Sequence, residues 1–313
     1  MASQPLKIGV VGAGGIGSYY AALAAHAGHQ VRLLARGAHR DAIRANGLEL
    51  KRPGEQFVAQ LDATDNGGDL RDSEYVIVSV KSYSLAEVAP TLVEAAKAGA
   101  TIIPLLNGVD VAEQLEQLGV PRTAIVGGLI AASIFRTEPG KVERRSPFDR
   151  MVIGELDCSM SDRTKRFVDA FTEMGVEARV SENIGLDLWR KFSFIVPMNV
   201  ASGLTRGPVG EMLSTERGRQ LMKGVVSEIA ALSRVAGTPL NADEEAKIQK
   251  DVLALPYSTT PSFLADLVRG GPTELDLLVG AVSRMGKQHG VPTPIHDFTT
   301  TAFEAATAPK PQS

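Results

Sequence analysis

The sequence contains a single cysteine, Cys158, among 313 residues, which excludes an internal disulfide framework. It also lacks an apolar run of the roughly 20 residues that a membrane-spanning helix needs, because glycine, proline and charged residues interrupt every run. Its first residues do not show the charged and then apolar pattern of a signal peptide. We therefore expect a cytoplasmic protein that does not enter a membrane.

An excess of charge of one sign is absent as well. The net charge is −3 and the pI is near 6.0, so no basic field attracts nucleic acid or an anionic membrane surface. We expect small molecules or other protein subunits as partners. A homodimer is compatible with the apolar helices near the C-terminus, although helix faces buried inside one domain explain the same residues.

The first half of the chain alternates between short apolar runs and helix-prone stretches. Buried parallel strands are predicted at residues 6–11, 30–36, 75–81 and 100–106. A helix at 18–29 joins the first two strands into a β-α-β unit. This alternation predicts a doubly wound α/β sheet, the architecture of a Rossmann domain.

From Ala124 onward the pattern changes to strands joined by tight turns, which we expect to extend the same sheet with antiparallel strands. A helix at 161–174 and a strand at 176–180 complete this domain, which we place at residues 1–181. The remainder, 182–313, reads as helices separated by glycine and proline. We expect it to form an all-α C-terminal domain.

The hexapeptide GAGGIG, residues 12–17, follows the first strand and opens the first helix. In the G-x-G-x-x-G motif, Gly12 permits a tight turn, Gly14 lets backbone N–H groups approach a pyrophosphate, and Gly17 allows close helix–strand packing. The motif predicts a dinucleotide site that also includes Gly15 and Ile16. A glycine-rich turn without a ligand is the alternative.

The end of the second strand indicates which dinucleotide binds. A site for NAD commonly has an acidic residue there to accept the ribose 2′-OH, but this chain has Arg36, with Arg40 close behind. Because a guanidinium suits a 2′-phosphate, the sequence predicts NADP(H). A solvated charge is the alternative for Arg36. His39 could assist, but its spacing does not require it.

Two polar residues follow other predicted strands of the sheet, where ligands of open α/β sheets bind. Lys81 is the last residue of the stretch at 75–81, and Asn107 follows the strand at 100–106. Either residue could be an ordinary loop residue, and the Asn-Gly pair at 107–108 is also typical of a simple turn.

The segment at residues 188–199 reads as a buried helix that nevertheless carries a lysine. Helical spacing places Lys191, Ile195 and Asn199 on one stripe. Lys191 either extends to solvent or lies partly buried in a site, where burial would lower its pKa and ease proton donation. Pro197 is expected to kink the helix near Ser193.

Together these motifs resemble the ketopantoate reductase family over essentially the whole chain. The resemblance rests on GAGGIG with Arg36, VKSY (80–83), LNGV (106–109), DLWRK (187–191), Asn199, PSFLAD (261–266) and PTELD (272–276). It implies an N-terminal Rossmann domain and a C-terminal helical domain. It also implies reduction of 2-dehydropantoate to pantoate with NADPH, in the pathway to coenzyme A.

The resemblance also implies roles for individual residues. Lys191 matches the general acid, and Glu274 matches the acidic residue that binds and orients the substrate. Asn107 matches an asparagine near the nicotinamide and the substrate, and Lys81 matches a lysine on the cofactor or substrate side. Asn199 and Ser262 match contacts to the substrate hydroxyl. No metal site is expected, because His289 and His296 lack partners at metal-ligand spacing.

At one position the chain departs from the family pattern. The family has a second asparagine four residues after the lysine, and this chain has Ile195. The isoleucine side chain cannot form a hydrogen bond with a substrate hydroxyl, so the substrate could be a more apolar 2-oxo acid. A related opine-type dehydrogenase and a non-catalytic NADP-binding sensor are further alternatives. Retention of Lys191, Glu274 and Asn107 argues against the sensor.

Overall fold

The structure is a computed structural model that describes residues 4–269 and 273–307. Pro272 of the PTELD motif and residues 308–313 of the expected helical domain lie outside this range. The chain divides into two compact units. The first contains the residues up to Leu106 together with Asp110–Ile184, and the second contains Asn107–Val109 together with the residues from Gly185 onward.

The first unit contains both strands and helices. Its strands are β1 (Lys7–Val11), β2 (Gln30–Leu34), β3 (Leu48–Arg52), β4 (Glu55–Ala59), β5 (Asp62–Thr64), β6 (Tyr75–Val78), β7 (Thr101–Pro104), β8 (Val126–Ala131), β9 (Ile134–Glu138), β10 (Lys141–Arg144), β11 (Arg150–Glu155) and β12 (Glu177–Val180). Its helices are α1 (Gly15–His26), α2 (Gly37–Asn46), α3 (Leu85–Lys97), α4 (Val111–Gln117) and α5 (Asp162–Glu173).

Five strands form a parallel sheet in the order β5-β2-β1-β6-β7. This is the strand order of a Rossmann sheet. Strands β2 and β5 are added on one side of β1, and the chain then crosses to the other side of β1 for β6 and β7, so the strand order reverses between β1 and β6. The predicted doubly wound α/β domain is confirmed. Ligands of such sheets bind beyond the carboxyl ends of the strands at this reversal, where the glycine motif follows β1.

The prediction that the later strands extend this sheet is wrong. They form two further sheets, β4-β3-β10-β9 and β12-β11-β8. The hairpin of β3 and β4 was not predicted from the sequence, and it provides the edge along which β10 pairs in parallel. An isolated parallel bridge joins Ile102 of β7 to Ile125, the residue directly before β8.

Helix α1 is fixed to the first unit by its two tyrosines. Tyr19 and Tyr20 are fully buried, and both hydroxyls donate hydrogen bonds of 2.8 Å to the carboxylate of Asp149. Asp149 lies just before β11. These bonds hold the helix that follows the glycine motif in one orientation.

The second unit is helical, as predicted. Its helices are α6 (Ile184–Thr205), α7 (Val209–Leu213), α8 (Glu216–Val235), α9 (Ala242–Leu253), α10 (Ser262–Arg269), α11 (Ala281–His289) and α12 (Pro294–Thr307), and a π-helical turn (Asp276–Gly280) leads into α11. Among the described residues, none of the helices combines the length and the apolar character required to cross a bilayer.

Helix α6 continues through Pro197. Because proline has no N–H, the carbonyl of Ser193 loses its usual partner within the helix. The Ser193 hydroxyl is buried, and among the described residues it has no hydrogen-bond partner. The expected kink near this residue stays a prediction.

Candidate functional site

The backbone approaches itself closely around the glycine motif. Gly12 has a φ of +109°, and a Cβ atom there would lie 2.6 Å from the backbone of Ser79. A Cβ atom on Gly17 would lie 2.0 Å from the carbonyl oxygen of Gly12. The Ser79 hydroxyl donates to that same oxygen over 2.9 Å. Larger residues are therefore excluded at both glycines by the neighbouring β6 and by the loop itself.

The start of α1 is suited to an anion. Its N-cap, Gly14, has no side chain to cap the helix, and no acidic residue lies in the first turn. A Cβ atom on Gly14 would meet no atom within 4 Å, so the space beside it is open. The unpaired N–H groups and the helix dipole fit the pyrophosphate of a dinucleotide. Ile16, in the same turn, packs against the core.

Arg36 lies where the sequence suggested, directly before α2. Its side chain is 67% exposed, and it forms an ion pair with Glu87 over 2.5 Å. Arg40 is paired with Asp41 and with Asp65. Because exposed ion pairs contribute little to stability, Arg36 can exchange Glu87 for a phosphate at small cost.

His39 has a role that the sequence did not reveal. The ring is buried, and its Nδ1 accepts a hydrogen bond of 2.9 Å from the Gly140 N–H. In the neutral ring Nε2 therefore carries the proton and donates to the Ser18 hydroxyl over 3.1 Å. Burial lowers the pKa of His39 to about 4, with a smaller contribution from the charge of Arg136. His39 thus joins α2, α1 and the β9–β10 turn.

Lys81 follows β6, which neighbours the strand that leads to the glycine motif. It is partly buried and precedes a short 3-10 turn at Ser82–Ser84. Its position at the carboxyl end of β6 is the one expected for a residue on the cofactor side of the sheet.

In the second unit, Lys191 forms a cluster with Asn107 and Glu274. The Lys191 ammonium donates a hydrogen bond of 2.7 Å to Oδ1 of Asn107, and both residues are partly buried. Glu274 is 8% exposed. Burial lowers the pKa of Lys191 to about 8, while the negative charge of Glu274 opposes this shift. The structure therefore favours the partly buried alternative for Lys191.

Lys191 lies on a helix whose apolar side chains pack into the core of the second unit. Trp189 and Phe192, its neighbours on α6, are buried and meet edge to face with ring centroids 6.1 Å apart. Val109, two residues after Asn107, packs against the same core. This packing and the bond from Lys191 place Asn107–Val109 in the second unit, although a division of the chain at residue 181 implied the first.

Asn199 and Ser262 are the other residues expected in the substrate site. Asn199 is 4% exposed, and its Nδ2 donates to the carbonyl of Ile195 over 2.7 Å, one turn back on α6. Ile195 is partly buried and packs against the core of the second unit. Ser262 is exposed at the start of α10 and makes no hydrogen bond to the Lys191 cluster among the described residues.

Both units match sequence models of one family. The family model described as ketopantoate reductase PanE/ApbA matches residues 8–157, and its C-terminal counterpart matches residues 183–307. The chain belongs to the ketopantoate reductase family. Members of this family are oxidoreductases that act on a CH–OH group, and so is this protein.

Similar sequences align over nearly the full length of the chain. A 2-dehydropantoate 2-reductase of Mesorhizobium japonicum is 29% identical, and the alignment covers 93% of this chain and 95% of that protein. An uncharacterized oxidoreductase of Bacillus subtilis is 27% identical, with coverage of 93% and 95%. These relatives support an oxidoreductase of the ketopantoate reductase type.

Solved structures give the same family and a nicotinamide cofactor. The PanE/ApbA family ketopantoate reductase from Ralstonia eutropha superposes with a TM-score of 0.87 at 26% identity, covering 96% of this chain and 98% of that chain. A D-mandelate dehydrogenase with NADH and anilino(oxo)acetate has a TM-score of 0.84 at 25% identity and the same coverage. Family members therefore bind nicotinamide cofactors.

Proposed function

We propose that this protein reduces 2-dehydropantoate to pantoate with NADPH and that Lys191 is the proton donor. The observation that carries the proposal is the Lys191 ammonium itself, held by Asn107 in partly buried surroundings with its pKa lowered to about 8. At neutral pH such a lysine is still mostly charged, yet it releases its proton far more readily than a solvated lysine does.

The arrangement of the cluster suits the reduction of a ketone. A bound reduced nicotinamide would supply the hydride to C2 of the substrate. Negative charge then builds on the C2 oxygen, and an ammonium group both stabilises that charge and provides the proton. Asn107 accepts a hydrogen bond from one of the three N–H groups of Lys191. This bond orients the ammonium and leaves two N–H donors for the substrate.

Glu274 complements this role. Its negative charge favours the charged form of Lys191 against the effect of burial, so the lysine remains a donor at neutral pH. Without the carboxylate, we expect the lysine to lose its proton to solvent at a lower pH. In this proposal Glu274 also orients the substrate, as its match to the family implies.

The cofactor side rests on the first unit. The open space at Gly14 and the uncapped start of α1 support binding of a pyrophosphate. Arg36, with no acidic residue in its place, supports NADPH over NADH because a guanidinium pairs with the 2′-phosphate. Lys81 is proposed to assist on this side.

A more apolar 2-oxo acid is the second candidate substrate, and Ile195 favours it. Ile195 lies one helical turn from Lys191 and offers no hydrogen-bonding side chain, and the Asn199 amide already donates to the helix backbone. A site without a partner for the substrate hydroxyl discriminates poorly in favour of 2-dehydropantoate. The related D-mandelate dehydrogenase shows that this fold also serves another substrate.

One matched pair of substrates separates the two candidates. 2-Dehydropantoate and 3,3-dimethyl-2-oxobutanoate differ only by the terminal hydroxyl, and their reduction is followed by the oxidation of NADPH. A higher kcat/KM for 2-dehydropantoate supports the first candidate, and a higher value for the analogue supports the second. If Ile195 sets the preference, Ile195→Asn shifts it toward 2-dehydropantoate. No turnover with any 2-oxo acid would contradict both.

A further inference from the structure

Arg136 lies at the mouth of the glycine loop, although neither its sequence position nor the family motifs draw attention to it. The residue is on β9, and its Nη1 donates to the carbonyl oxygen of Ala13 over 3.4 Å. Strand β9 packs directly on the loop, since a Cβ atom on Gly15 would lie 2.6 Å from the Ile134 carbonyl oxygen. The guanidinium is exposed and free to turn toward a bound ligand.

The same guanidinium lies close to the start of α2. Val11 of β1 pairs with Leu34 of β2, so Ala13 and Arg36 each come two residues beyond the ends of these adjacent strands. The charge of Arg136 also contributes to the lowered pKa of His39, in the first turn of α2. Arg136 therefore contacts the glycine loop and acts electrostatically on the first turn of α2, which directly follows the residue expected to meet the 2′-phosphate.

The charges around that position leave room for another cation. Arg36 is paired with Glu87, and the nearby Arg40 is paired with Asp41 and Asp65. Two guanidinium groups thus face three carboxylates, and a phosphate dianion would be repelled by this set alone. Arg136 has no ion pair with an acidic side chain in residues 4–269 and 273–307, so its charge is available.

We propose that Arg136 binds the 2′-phosphate of NADPH together with Arg36 and thereby helps to select NADPH over NADH. This inference rests on the proposed function, which requires NADPH. A guanidinium has five N–H donors, so the bond to Ala13 leaves enough of them for a phosphate. Binding would draw Arg36 from Glu87 and add the second positive charge that a dianion needs.

The test is the affinity of Arg136→Ala for both cofactors, measured by isothermal titration calorimetry. We expect the Kd of NADPH to rise about 10- to 100-fold, the range for a lost charge-assisted hydrogen bond, and the Kd of NADH to change little. Arg136→Lys keeps the charge without the fork of donors, so it should retain part of the NADPH preference.

Arg145→Ala is the matched control. This arginine follows β10 of the same hairpin, but its guanidinium lies 4.8 Å from the centre of the Phe135 ring and pairs with Glu143. The Arg145→Ala substitution removes the same charge from the surface and should leave the affinities for NADPH and NADH unchanged.

The other outcomes contradict the inference in distinct ways. Equal weakening of NADPH and NADH by Arg136→Ala would place the guanidinium on the pyrophosphate and overturn the assignment. Unchanged binding of both cofactors would overturn it while the wild type still reduced a 2-oxo acid with NADPH, so the proposed function would survive. A wild type that binds neither cofactor would overturn both proposals.

Discussion

Lys191 derives its chemistry from the few side chains around it. A lysine in water has a pKa near 10.5, and burial lowers this value to about 8 even though the negative charge of Glu274 opposes the shift. Asn107 fixes the position of the ammonium with an uncharged oxygen, so it orients the group without adding a second counter-charge. A proton donor with a pKa close to neutral pH is efficient in both directions of proton transfer.

Replacing Lys191 by alanine tests this role. We expect kcat to fall about 100- to 10,000-fold, the usual contribution of a general acid, because nothing else in the cluster donates a proton to the substrate. The Kd of NADPH should stay unchanged, since the cofactor is expected to bind to the first unit. Calorimetry and steady-state kinetics on the same preparations separate the two effects.

Arg190→Ala is a control for the preceding prediction, because Arg190 is the adjacent cation on α6 but pairs with Glu244 near the surface. Its kcat should remain close to that of the wild type. If Lys191→Ala kept full turnover, or lost only cofactor binding, the assignment of Lys191 as the proton donor would be wrong.

The pH dependence of turnover follows from the same pKa. Reduction requires the charged form of Lys191, so kcat in the direction of reduction should be constant below about pH 8 and fall as the pH rises through that value. The reverse reaction requires the neutral form and should rise over the same interval. Glu274→Gln removes the charge that favours the ammonium, so any remaining activity should decline at a lower pH. Profiles that do not depend on pH near 8 would contradict this account.

At the scale of the element, two glycines of the segment formed by β1, the glycine loop and α1 differ in their surroundings. Gly17 packs closely against the backbone, whereas Gly14 borders open space. Gly17→Ala places a Cβ atom 2.0 Å from the Gly12 carbonyl, which the backbone cannot avoid without moving. Gly14→Ala places its Cβ atom in open space at an ordinary φ of −78°. The two substitutions therefore have different expected costs.

We expect Gly17→Ala to lower the free energy of unfolding by about 1–3 kcal/mol, the range for overpacking. Gly14→Ala should leave stability unchanged within about 0.5 kcal/mol and still weaken NADPH binding, because its methyl group occupies the space proposed for the pyrophosphate. Chemical denaturation and cofactor titration of both variants provide the check. A Gly14→Ala protein that binds NADPH normally would argue against that placement.

His39 makes the contact between α1, α2 and the β9–β10 turn sensitive to acid. Its folded pKa of about 4 lies below the ordinary value of 6.5, so the unfolded chain binds more protons between these two values. The stability that the neutral ring contributes is complete above pH 6.5 and is lost as the pH falls to about 4. The loss amounts to about 3 kcal/mol.

His39→Gln tests this contribution, because an amide keeps hydrogen-bonding atoms but does not titrate in this range. Between pH 6.5 and 4 the free energy of unfolding should decrease less in the variant than in the wild type, by about 3 kcal/mol. Parallel pH series of denaturation curves measure the difference. If both proteins lost stability equally, His39 would not be the group responsible.

The sequence predicted some elements better than others for physical reasons. Strands β1, β6 and β7 are buried almost throughout, so their apolar, β-branched runs are visible in the sequence. The β3–β4 hairpin is short, rich in charged residues and divided by Pro53 and Gly54, so it lacks that signal. The partners of β8–β12 could not be read locally either, because pairing depends on edges that distant segments provide.

At the scale of the whole molecule, the family and the two kinds of unit could be predicted from the sequence, because the glycine motif and the DLWRK and PTELD segments are specific. The state of Lys191 could not, since a helical pattern allows either a solvated or a buried lysine. Only the folded second unit shows Asn107, 84 positions away in the chain, accepting its hydrogen bond. The engagement of Asn199 with its own helix was equally invisible in the spacing of α6.

The central claim is that a hydride passes from NADPH to C2 of 2-dehydropantoate. The most direct measurement uses NADPH that carries deuterium at the transferred position of nicotinamide C4, with 2-dehydropantoate and the wild-type protein, and analyses the product by mass spectrometry. The account predicts pantoate with one deuterium at C2, and its formation should nearly cease in Lys191→Ala. Unlabelled pantoate, or no pantoate in the presence of bound NADPH, would contradict it.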